Sequence, residues 1–391
     1  MPLNVWPARA GLALLVTVAV GFVGGPAAAA SHGWATAGAT KVTFTADHGV
    51  GNKVVITRSG RTVTIDDRVA VKPGKGCKQV KGDKTRVRCK TGKAPAKVVV
   101  DLWDRDDSVV NDSDLKMVAD GGAGSDRLVG GPKADELRGD SVCINARAGN
   151  DKIYGRGGND QIYLDDGADY ASGGDGNDWI FGDSNCVDGT NRPGKDVIHG
   201  GNGNDTLQGD GADDTLYGGN GADGLIGSAG RDRLEGGAGD DWLVGDVSDR
   251  AAAADVLLGG AGRDSADYSA YRRAVTVDLD GAAGDDGLPG ERDTVGADVE
   301  DLAGTDFNDR LVGNGSANEI HGHRGDDVIL GGGGKDHLLG WEGRNELYGE
   351  AGDDILEVAY GVSRLDGGEN HDACRAKPQD VLISCEEWHP W

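Results

Sequence analysis

Residues 200–244 read GGNGNDTLQ GDGADDTLY GGNGADGLI GSAGRDRLE GGAGDDWLV, which is five successive units of nine residues. Every unit has glycine in its first position, aspartate in its sixth and leucine in its eighth. One aliphatic residue in nine fits neither an amphipathic helix nor a long alternating strand. It predicts a three-residue strand whose middle side chain points inward, so the body of the chain is predicted to be an all-β repeat structure.

The same period continues on both sides of this stretch. Aspartates nine residues apart run from Asp151 to Asp178, from Asp196 to Asp241 and from Asp309 to Asp354, with asparagine at 318 and 345. Two units make one coil of 18 residues, and the strands of successive coils stack about 4.8 Å apart. We therefore predict a right-handed parallel β-roll, a β-solenoid with 18 residues per coil. The predicted inward residues are Leu128, Leu137, Ile153, Ile162, Ile180, Ile198, Leu207, Leu216, Leu225, Leu234, Leu243, Leu311, Ile320, Ile329, Leu338, Leu347 and Leu356.

The stacked aspartates point to a bound cation. Asp205 and Asp223, for example, lie one coil apart, and unit charges at that distance repel by about 1 kcal/mol even in water. A hard dication held by carboxylates and glycine carbonyls removes this repulsion, and calcium accepts six to eight oxygens at variable angles. Several calcium ions are the predicted cofactor. Magnesium ranks second because it prefers a strict octahedron and its own waters.

The nonapeptide GGxGxD followed by x, an apolar residue and x closely resembles the hemolysin-type, or RTX, calcium-binding repeat. The resemblance covers most of residues 119–357 and implies that six-residue turns share calcium with the turn one coil away. The carboxylate ligands that it implies are Asp126, Asp135, Asp151, Asp160, Asp169, Asp178, Asp196, Asp205, Asp214, Asp223, Asp232, Asp241, Asp264, Asp309, Asp327, Asp336 and Asp354, and the implied carbonyl ligands are Gly173, Gly200, Gly218 and Gly236.

Some units depart from the family's pattern, and weaker sites are expected there. The departures are Lys133 and Ala212 in place of the fourth glycine, Asn318 and Asn345 in place of the aspartate, and Ala146 and Leu164 in place of the first glycine.

Composition agrees with a thin, repetitive core in an acidic, secreted chain. Glycine supplies 69 of 391 residues and aromatics only 5 %, too little bulky apolar surface for an ordinary core of this size. The net charge is -26, which repels nucleic acid and attracts cations. Residues 1–30 have the apolar run and small residues of a secretory signal peptide, so no integral membrane segment is predicted and the protein is expected to be extracellular.

The predicted organisation has six parts. They are a signal peptide (1–30), a basic β-rich N-terminal region (31–118), a calcium-binding roll (119–265), an insertion (266–303), a second stretch of roll (304–367) and a disulfide-closed C-terminal cap (368–391). The basic region carries 15 basic against 4 acidic residues over 36–100, and it is expected to cap the roll by extending its sheets.

Six cysteines in an exported chain predict disulfides. Local pairs are expected between Cys77 and Cys89 and between Cys374 and Cys385. Cys143 and Cys186 lie four residues into two insertions that leave the same edge two coils apart, so a third disulfide is predicted between them.

No catalytic motif is present, since H-E-x-x-H and G-x-S-x-G are both absent. His321, His323 and His337 are expected on a solvated face rather than at a zinc site, and a solvated loop is favoured over a cation site for Asp285, Asp286, Asp293 and Asp298. The outward positions lack the flat repeated ladder of an ice-binding surface.

The sequence thus predicts a non-enzymatic secreted calcium-binding roll with a surface, matrix or adhesion role. The alternative is a module that binds carbohydrate or cell-wall polymer, through outward aromatics such as Tyr163, Phe181, Trp179 and Trp242 or through the basic region.

Overall fold

A computed structural model describes residues 32–140, 149–183, 192–248, 250 and 252–390. The regular elements of these residues are all β-strands, and none of these residues is helical. No helix long and apolar enough to cross a membrane occurs in this part of the chain. The predicted signal peptide, Ala146 and the predicted Cys143–Cys186 disulfide lie outside the described residues.

The described residues contain thirty-seven strands, which fall into three stretches of the chain. The N-terminal stretch contains β1 (Gly33–Ala37), β2 (Lys41–Thr45), β3 (Lys53–Ser59), β4 (Thr62–Asp66), β5 (Val71–Pro73), β6 (Cys77–Val80) and β7 (Asp83–Lys90). The middle stretch contains β8 (Lys97–Asp101), β9 (Ser108–Asp112), β10 (Lys116–Asp120), β11 (Arg127–Val129), β12 (Glu136–Arg138), β13 (Lys152–Gly157), β14 (Gln161–Tyr163), β15 (Tyr170–Asp175), β16 (Trp179–Phe181), β17 (Val197–Asn202), β18 (Thr206–Gly211), β19 (Thr215–Asn220), β20 (Gly224–Ala229), β21 (Arg233–Ala238), β22 (Trp242–Val244), β23 (Val256–Ala261) and β24 (Ser265–Asp267). The C-terminal stretch contains β25 (Thr276–Asp278), β26 (Thr294–Val295), β27 (Asp301–Ala303), β28 (Arg310–Val312), β29 (Glu319–His321), β30 (Val328–Gly333), β31 (His337–Glu342), β32 (Glu346–Ala351), β33 (Ile355–Tyr360), β34 (Arg364–Glu369), β35 (Ala373–Ala376), β36 (Val381–Ile383) and β37 (Glu387–Pro390).

Successive coils build two parallel sheets that face each other. The chain alternates between them, so that β18 pairs with β20 with Leu207 opposite Leu225, and β19 pairs with β21 with Leu216 opposite Leu234. The first sheet runs without a break from β8 to β37 through β10, β12 and so on to β24, β27 and β29. The second sheet runs from β9 to β23 and β26, and a separate sheet of β25, β28, β30, β32, β34 and β36 continues this side.

The core lies between the two sheets, and each strand of a repeat contributes one aliphatic side chain to it. All 17 residues that the period predicts to point inward are fully buried, from Leu128 to Leu356. Most strands of the roll alternate a buried middle residue with partly exposed neighbours, as in Trp179–Phe181. The prediction of an inward position in every nine residues is therefore confirmed.

Besides the insertion at 266–303, three shorter insertions begin on the same side of the roll. They follow Gly139, Gly182 and Gly245, each of which begins a turn from the first sheet to the second. We call this side the insertion edge, and the side where the chain returns to the first sheet the glycine edge. The insertions leave the strand register intact, since Leu128 still pairs with Ile153 across the first of them.

The N-terminal stretch continues both sheets. Strand β2 pairs in parallel with β8, with Val42 opposite Val98, and β3 pairs in parallel with β9, with Val54 opposite Val109. Antiparallel pairing of β3, β4, β7 and β6 then ends the second sheet. Cys77 on β6 forms a disulfide with Cys89 on β7.

The C-terminal residues also add strands to the roll. Strands β35 and β37 extend the first sheet and β36 extends the other side. Cys374 occupies a fully buried inward position and forms a disulfide with Cys385.

Candidate metal centre

The sixth-position aspartates form ladders in which each carboxylate accepts a backbone hydrogen bond from the coil before it. The N–H of Asp205 donates to Oδ1 of Asp223 at 2.7 Å, and the N–H of Asp223 donates to Oδ1 of Asp241 at 2.8 Å. This bond fixes each carboxylate against the next turn. The insertion-edge ladder is Asp107, Asp126, Asp151, Asp169, Asp196, Asp214, Asp232, Asp255 and Asp293, and the glycine-edge ladder is Asp135, Asp160, Asp178, Asp205, Asp223, Asp241 and Asp264.

The second carboxylate oxygen of most sixth-position aspartates, in the two ladders and in the C-terminal repeats, has no hydrogen-bond partner within the described residues. These Oδ2 atoms are buried, and they belong to Asp107, Asp126, Asp151, Asp160, Asp169, Asp178, Asp196, Asp205, Asp214, Asp223, Asp232, Asp241, Asp255, Asp264, Asp327, Asp336, Asp354 and Asp372. A buried carboxylate oxygen without a partner is costly unless a proton or a cation meets it. The repetition of this arrangement along both edges makes a row of bound cations its simplest explanation.

The first glycine of each unit lies beside this oxygen. A methyl group on Gly218 would collide with Oδ2 of Asp223 and with the carbonyl oxygen of Gly236, one coil further on. The other three predicted carbonyl glycines have the same surroundings, since Gly173 meets Asp178 and Gly200, Gly200 meets Asp205 and Gly218, and Gly236 meets Asp241 and Gly259. Carboxylate and carbonyl oxygens around one small space are the ligand set that calcium prefers.

Glycine in the second and fourth positions lets the turns stack. Gly219 and Gly221 have φ of 116° and 130°, a region that L side chains rarely adopt. A methyl group at either position would also collide with the carbonyl oxygen of the corresponding glycine one coil earlier. The glycines therefore bring the ligand-bearing turns into contact.

Comparison with protein families identifies these turns. A family model described as RTX calcium-binding nonapeptide repeat (4 copies) matches residues 120–141, 144–171, 163–185, 192–225, 225–249, 303–338 and 331–358. The repeats of this chain are RTX calcium-binding nonapeptide repeats. Together with the parallel sheets, this match confirms the predicted repeat family and the predicted all-β parallel β-roll, and it makes the matched stretches calcium-binding RTX repeats.

Other comparisons add little to this assignment. No curated protein sequence matches the chain significantly. A similar solved structure is described as the X-ray crystal structure of a hyperactive, Ca2+-dependent, beta-helical antifreeze protein from an Antarctic bacterium; it is 20 % identical, with 70 % of this chain and 80 % of that chain covered and a TM-score of 0.28. A TM-score this low supports no argument about this chain.

Several departures from the RTX pattern close the space that a cation would take. At Asn345 the side-chain amide donates to the carbonyl oxygen of Gly340 at 2.7 Å, and at Asn318 it donates to the carbonyl oxygen of Glu300 at 2.8 Å. An amide N–H therefore meets the oxygens that a cation would otherwise meet. Asp135, whose turn contains Lys133, has both carboxylate oxygens engaged by the backbone N–H groups of Met117 and Gly131.

Asp309 also has both carboxylate oxygens engaged. The hydroxyl of Thr305 donates to it, as do the N–H groups of Val275 and Thr305. We therefore propose that the RTX sites at Asp135 and Asp309 are weaker than those at the centre of the roll.

Three sixth-position aspartates with such an unpartnered oxygen were not included in the predicted ligand set. Asp107, Asp255 and Asp372 each have a buried Oδ2 atom without a hydrogen-bond partner in the described residues. Each aspartate precedes by two residues an inward Val109, Leu257 or Cys374. A broader sequence pattern, aspartate followed two residues later by any small or aliphatic residue, would have predicted these three positions.

The prediction of a solvated loop is wrong for Asp286 and Asp293, which are buried because they accept hydrogen bonds within the 266–303 insertion and from the neighbouring coil. Within the described residues, Asp285, Asp286, Asp293 and Asp298 form no common metal-binding group. Asp286 accepts from the N–H groups of Asp278 and Val295, and Asp293 accepts from the N–H of Asp255 and the hydroxyl of Tyr268. The carboxylates of Asp278, Asp280 and Asp285 instead lie within 4.8 Å of one another. This acidic group is partly or fully exposed, as is common on an acidic surface.

The histidines belong to separate small pairings. His321 lies 3.0 Å from a carboxylate oxygen of Glu319, its ring stacks near that of His323 at 6.0 Å between centroids, and His337 lies 3.6 Å from Glu357. In the described residues, the three histidines share no metal-binding geometry.

Burial raises the pKa of the ladder carboxyls, and neighbouring carboxylates raise it further. The pKa of Asp205 is raised to about 7, that of Asp160 to about 8, and those of Asp169 and Asp214 to about 10. Hydrogen bonds from the preceding coil lower these pKa values by less than burial raises them. In the native fold without metal, ladder members such as Asp160, Asp169 and Asp214 therefore hold protons near neutral pH, and calcium competes with those protons.

The stability of the metal-free roll should consequently fall as pH rises. A pKa raised from 3.8 to about 10, as at Asp214, means that the folded state holds protons which the unfolded state has released. This stabilisation is complete below pH 3.8 and is lost as pH rises through the folded-state values. We expect calcium-depleted protein to show more β-sheet at about pH 5.5 than at about pH 8.5, measured by circular dichroism. A stronger β-sheet signal at the higher pH would contradict the ladder assignment.

Proposed function

We propose that this RTX protein is a secreted, non-enzymatic scaffold that folds when calcium fills its aspartate ladders, and that it then serves in adhesion or in a surface matrix. The buried, unpartnered Oδ2 atoms along both edges carry this proposal. Extracellular calcium modules commonly have dissociation constants of about 10⁻⁴ to 10⁻³ M. Export would therefore supply the ion in the range where such a roll switches from unfolded to folded.

Two further features support secretion and a binding role. The disulfides at Cys77–Cys89 and Cys374–Cys385 are typical of proteins outside the reducing cytosol. The sequence has neither of the hydrolase motifs sought above, which favours binding over catalysis.

Surface retention tests the scaffold proposal. Labelled protein is incubated with bacterial cell walls and with insoluble polysaccharides, in millimolar calcium or in chelator. Retention in calcium that is released by chelator supports the proposal. Equal retention under both conditions, or no retention on any surface, would contradict the adhesion role.

A second candidate function is recognition of an anionic cell-wall polymer by the basic hairpin, which we define as β6 and β7. Lys78 and Arg88 lie directly opposite each other on these strands, and like charges in that position destabilise a sheet. Both are exposed and, with Lys81 and Lys90, they line a groove of about 520 Å³. Within the described residues these four side chains have no carboxylate partner, although the chain is strongly acidic overall. A polymer with repeated phosphate or carboxylate groups would supply the missing counter-charges.

Charge reversal in the hairpin separates this function from non-specific adhesion. The double variant K78E/R88E should bind walls that carry anionic polymer at least about tenfold more weakly in low salt, because rim charges act over about one Debye length. The variant K152E/R231E is the matched control, since it makes the same change of charge at exposed positions on the roll. Equal losses in the two variants would assign the effect to net charge and refute recognition by the hairpin.

A further inference from the structure

The outward face of the first sheet contains a shallow polar concavity between β22 and β29. It encloses about 230 Å³, below the roughly 300–1,000 Å³ of pockets for drug-sized ligands. The RTX ladders lie at the edges of the roll, so this concavity on the sheet face is separate from the metal centre. Its size fits one ring of a ligand.

Trp242 forms one wall, and its indole reaches both neighbouring strands. The ring contacts Gly224 on β20, where a Cβ atom would lie 3.6 Å from Cε3, and the indole N–H donates to Asp267 on β24 at 3.1 Å. A ring that reaches both neighbours extends along the sheet. Val244, the next outward residue of the strand, is only 4 % exposed, whereas Trp242 is 42 % exposed. An aromatic surface is thus held in place beside the concavity.

Small side chains make the depression next to this ring. The strand register places Ser265 opposite Trp242 and Ala303 between Asp267 and His321. Both small residues face outward, between the large side chains of Trp242 and His321. The floor of the concavity is therefore lower than the sheet surface around it.

The far rim consists of planar, hydrogen-bonding groups that already pair with one another. Arg263 contacts Asp301 at 2.6 Å and Glu319 at 3.8 Å, and Glu319 contacts His321 at 3.0 Å. The carboxylates of Asp301 and Glu319 remain 25 % and 40 % exposed. They can accept hydrogen bonds from a ligand while Arg263 and His321 hold them in position.

We infer that this concavity binds one pyranose ring of a neutral or amino sugar. The apolar C–H face of the ring packs against the Trp242 indole, and its hydroxyl or ammonium groups donate to Asp301 and Glu319. Three carboxylates in the lining repel a uronic acid. The inference rests on the proposed surface role only for the source of the sugar, and the ligand differs from the anionic polymer assigned to the basic hairpin.

A glycan panel of neutral, amino and uronic-acid oligosaccharides, probed with the calcium-bound full chain, tests this inference. We expect retention on at least one neutral or amino glycan and none on uronic acids. Titration calorimetry with the retained glycan should show affinity at least about tenfold weaker for W242A, since an aromatic anchor commonly carries that much binding. W341A is the matched control because Trp341 is also on the first sheet and 43 % exposed, and it should bind like the wild type.

A second variant guards against loss of folding in W242A. A303Q keeps the strand and fills the concavity with a side chain of the kind found at outward Gln208, so it should also abolish binding. Circular dichroism in calcium identifies variants that fold. Absence of any retained glycan, or wild-type affinity in folded W242A and A303Q, overturns the sugar site without touching the scaffold proposal. A chain that folds without calcium would instead overturn the scaffold proposal. The glycan panel would still decide whether the sugar site exists.

Discussion

Removal of calcium from residues 31–391 is expected to abolish most of the β-sheet signal in far-ultraviolet circular dichroism, and calcium should restore it cooperatively. The roll contributes one inward aliphatic side chain per nine residues, worth about 1.5–3 kcal/mol when fully buried. The buried Oδ2 atoms of the two ladders oppose this gain, because burying a carboxylate oxygen costs free energy unless a cation meets it. Metal binding and folding of the roll should therefore be one process.

The titration begins from chelated protein, with magnesium as the control. Magnesium should restore little signal, because it keeps its waters and demands a near-ideal octahedron of ligands. Part of the spectrum should survive in chelator. The N-terminal stretch has a wider core, with Phe44, Ile56 and Ile65 fully buried and the Cys77–Cys89 disulfide. A spectrum already rich in β-sheet throughout and indifferent to calcium would refute the metal-dependent roll.

The repeat body was predictable from sequence because one spacing fixes several structural features together. Aspartate in the sixth position, an aliphatic residue in the eighth and glycines between them determine the turn, the inward side chain and the stacking. Leu207 and Leu225 illustrate this, since they are 18 residues apart in sequence, opposite each other in the sheet and fully buried.

The ends of the roll were harder to predict because other residues replace the aliphatic there. Cys374 is inward, so β35 follows the period in position but not in residue type, and Ser363 takes the aspartate position before Leu365. The parallel pairing of β2 with β8 had no periodic signal at all, since it joins segments of unrelated sequence.

The different roles of the two oxygens of each carboxylate could not be predicted from the sequence either. Spacing stacks Asp205 on Asp223 but does not say that Oδ1 accepts a backbone N–H while Oδ2 lacks a partner among the described residues. Nor does it show that Asp135, although in register, has both oxygens engaged. These differences depend on which backbone N–H groups the local turn presents, such as that of Gly131 beside Asp135.

Replacing two consecutive aspartates of the glycine-edge ladder should raise the calcium midpoint of folding strongly. D205A/D223A removes two carboxylates that each accept a backbone N–H from the preceding coil and present a buried Oδ2 atom. A hydrogen bond to a charged group contributes about 1.5–3 kcal/mol, and each 1.4 kcal/mol or so corresponds to tenfold in an equilibrium constant. We expect the midpoint to rise at least about tenfold and the transition to become less cooperative, because the gap interrupts nearest-neighbour coupling between coils.

D213A/D240A is the matched control, since it removes the same charge from fifth positions beside the insertion-edge and glycine-edge ladders, where Asp213 is half-buried and Asp240 is exposed. Asp213 pairs with Lys195 at the surface, and such exposed pairs contribute little to stability. The control should therefore shift the midpoint by less than about twofold. If both double variants moved the midpoint equally, general charge rather than the ordered ladder would govern calcium binding, because both pairs of carboxylates accept backbone N–H groups but only D205A/D223A deletes buried Oδ2 atoms that lack a partner in the described residues.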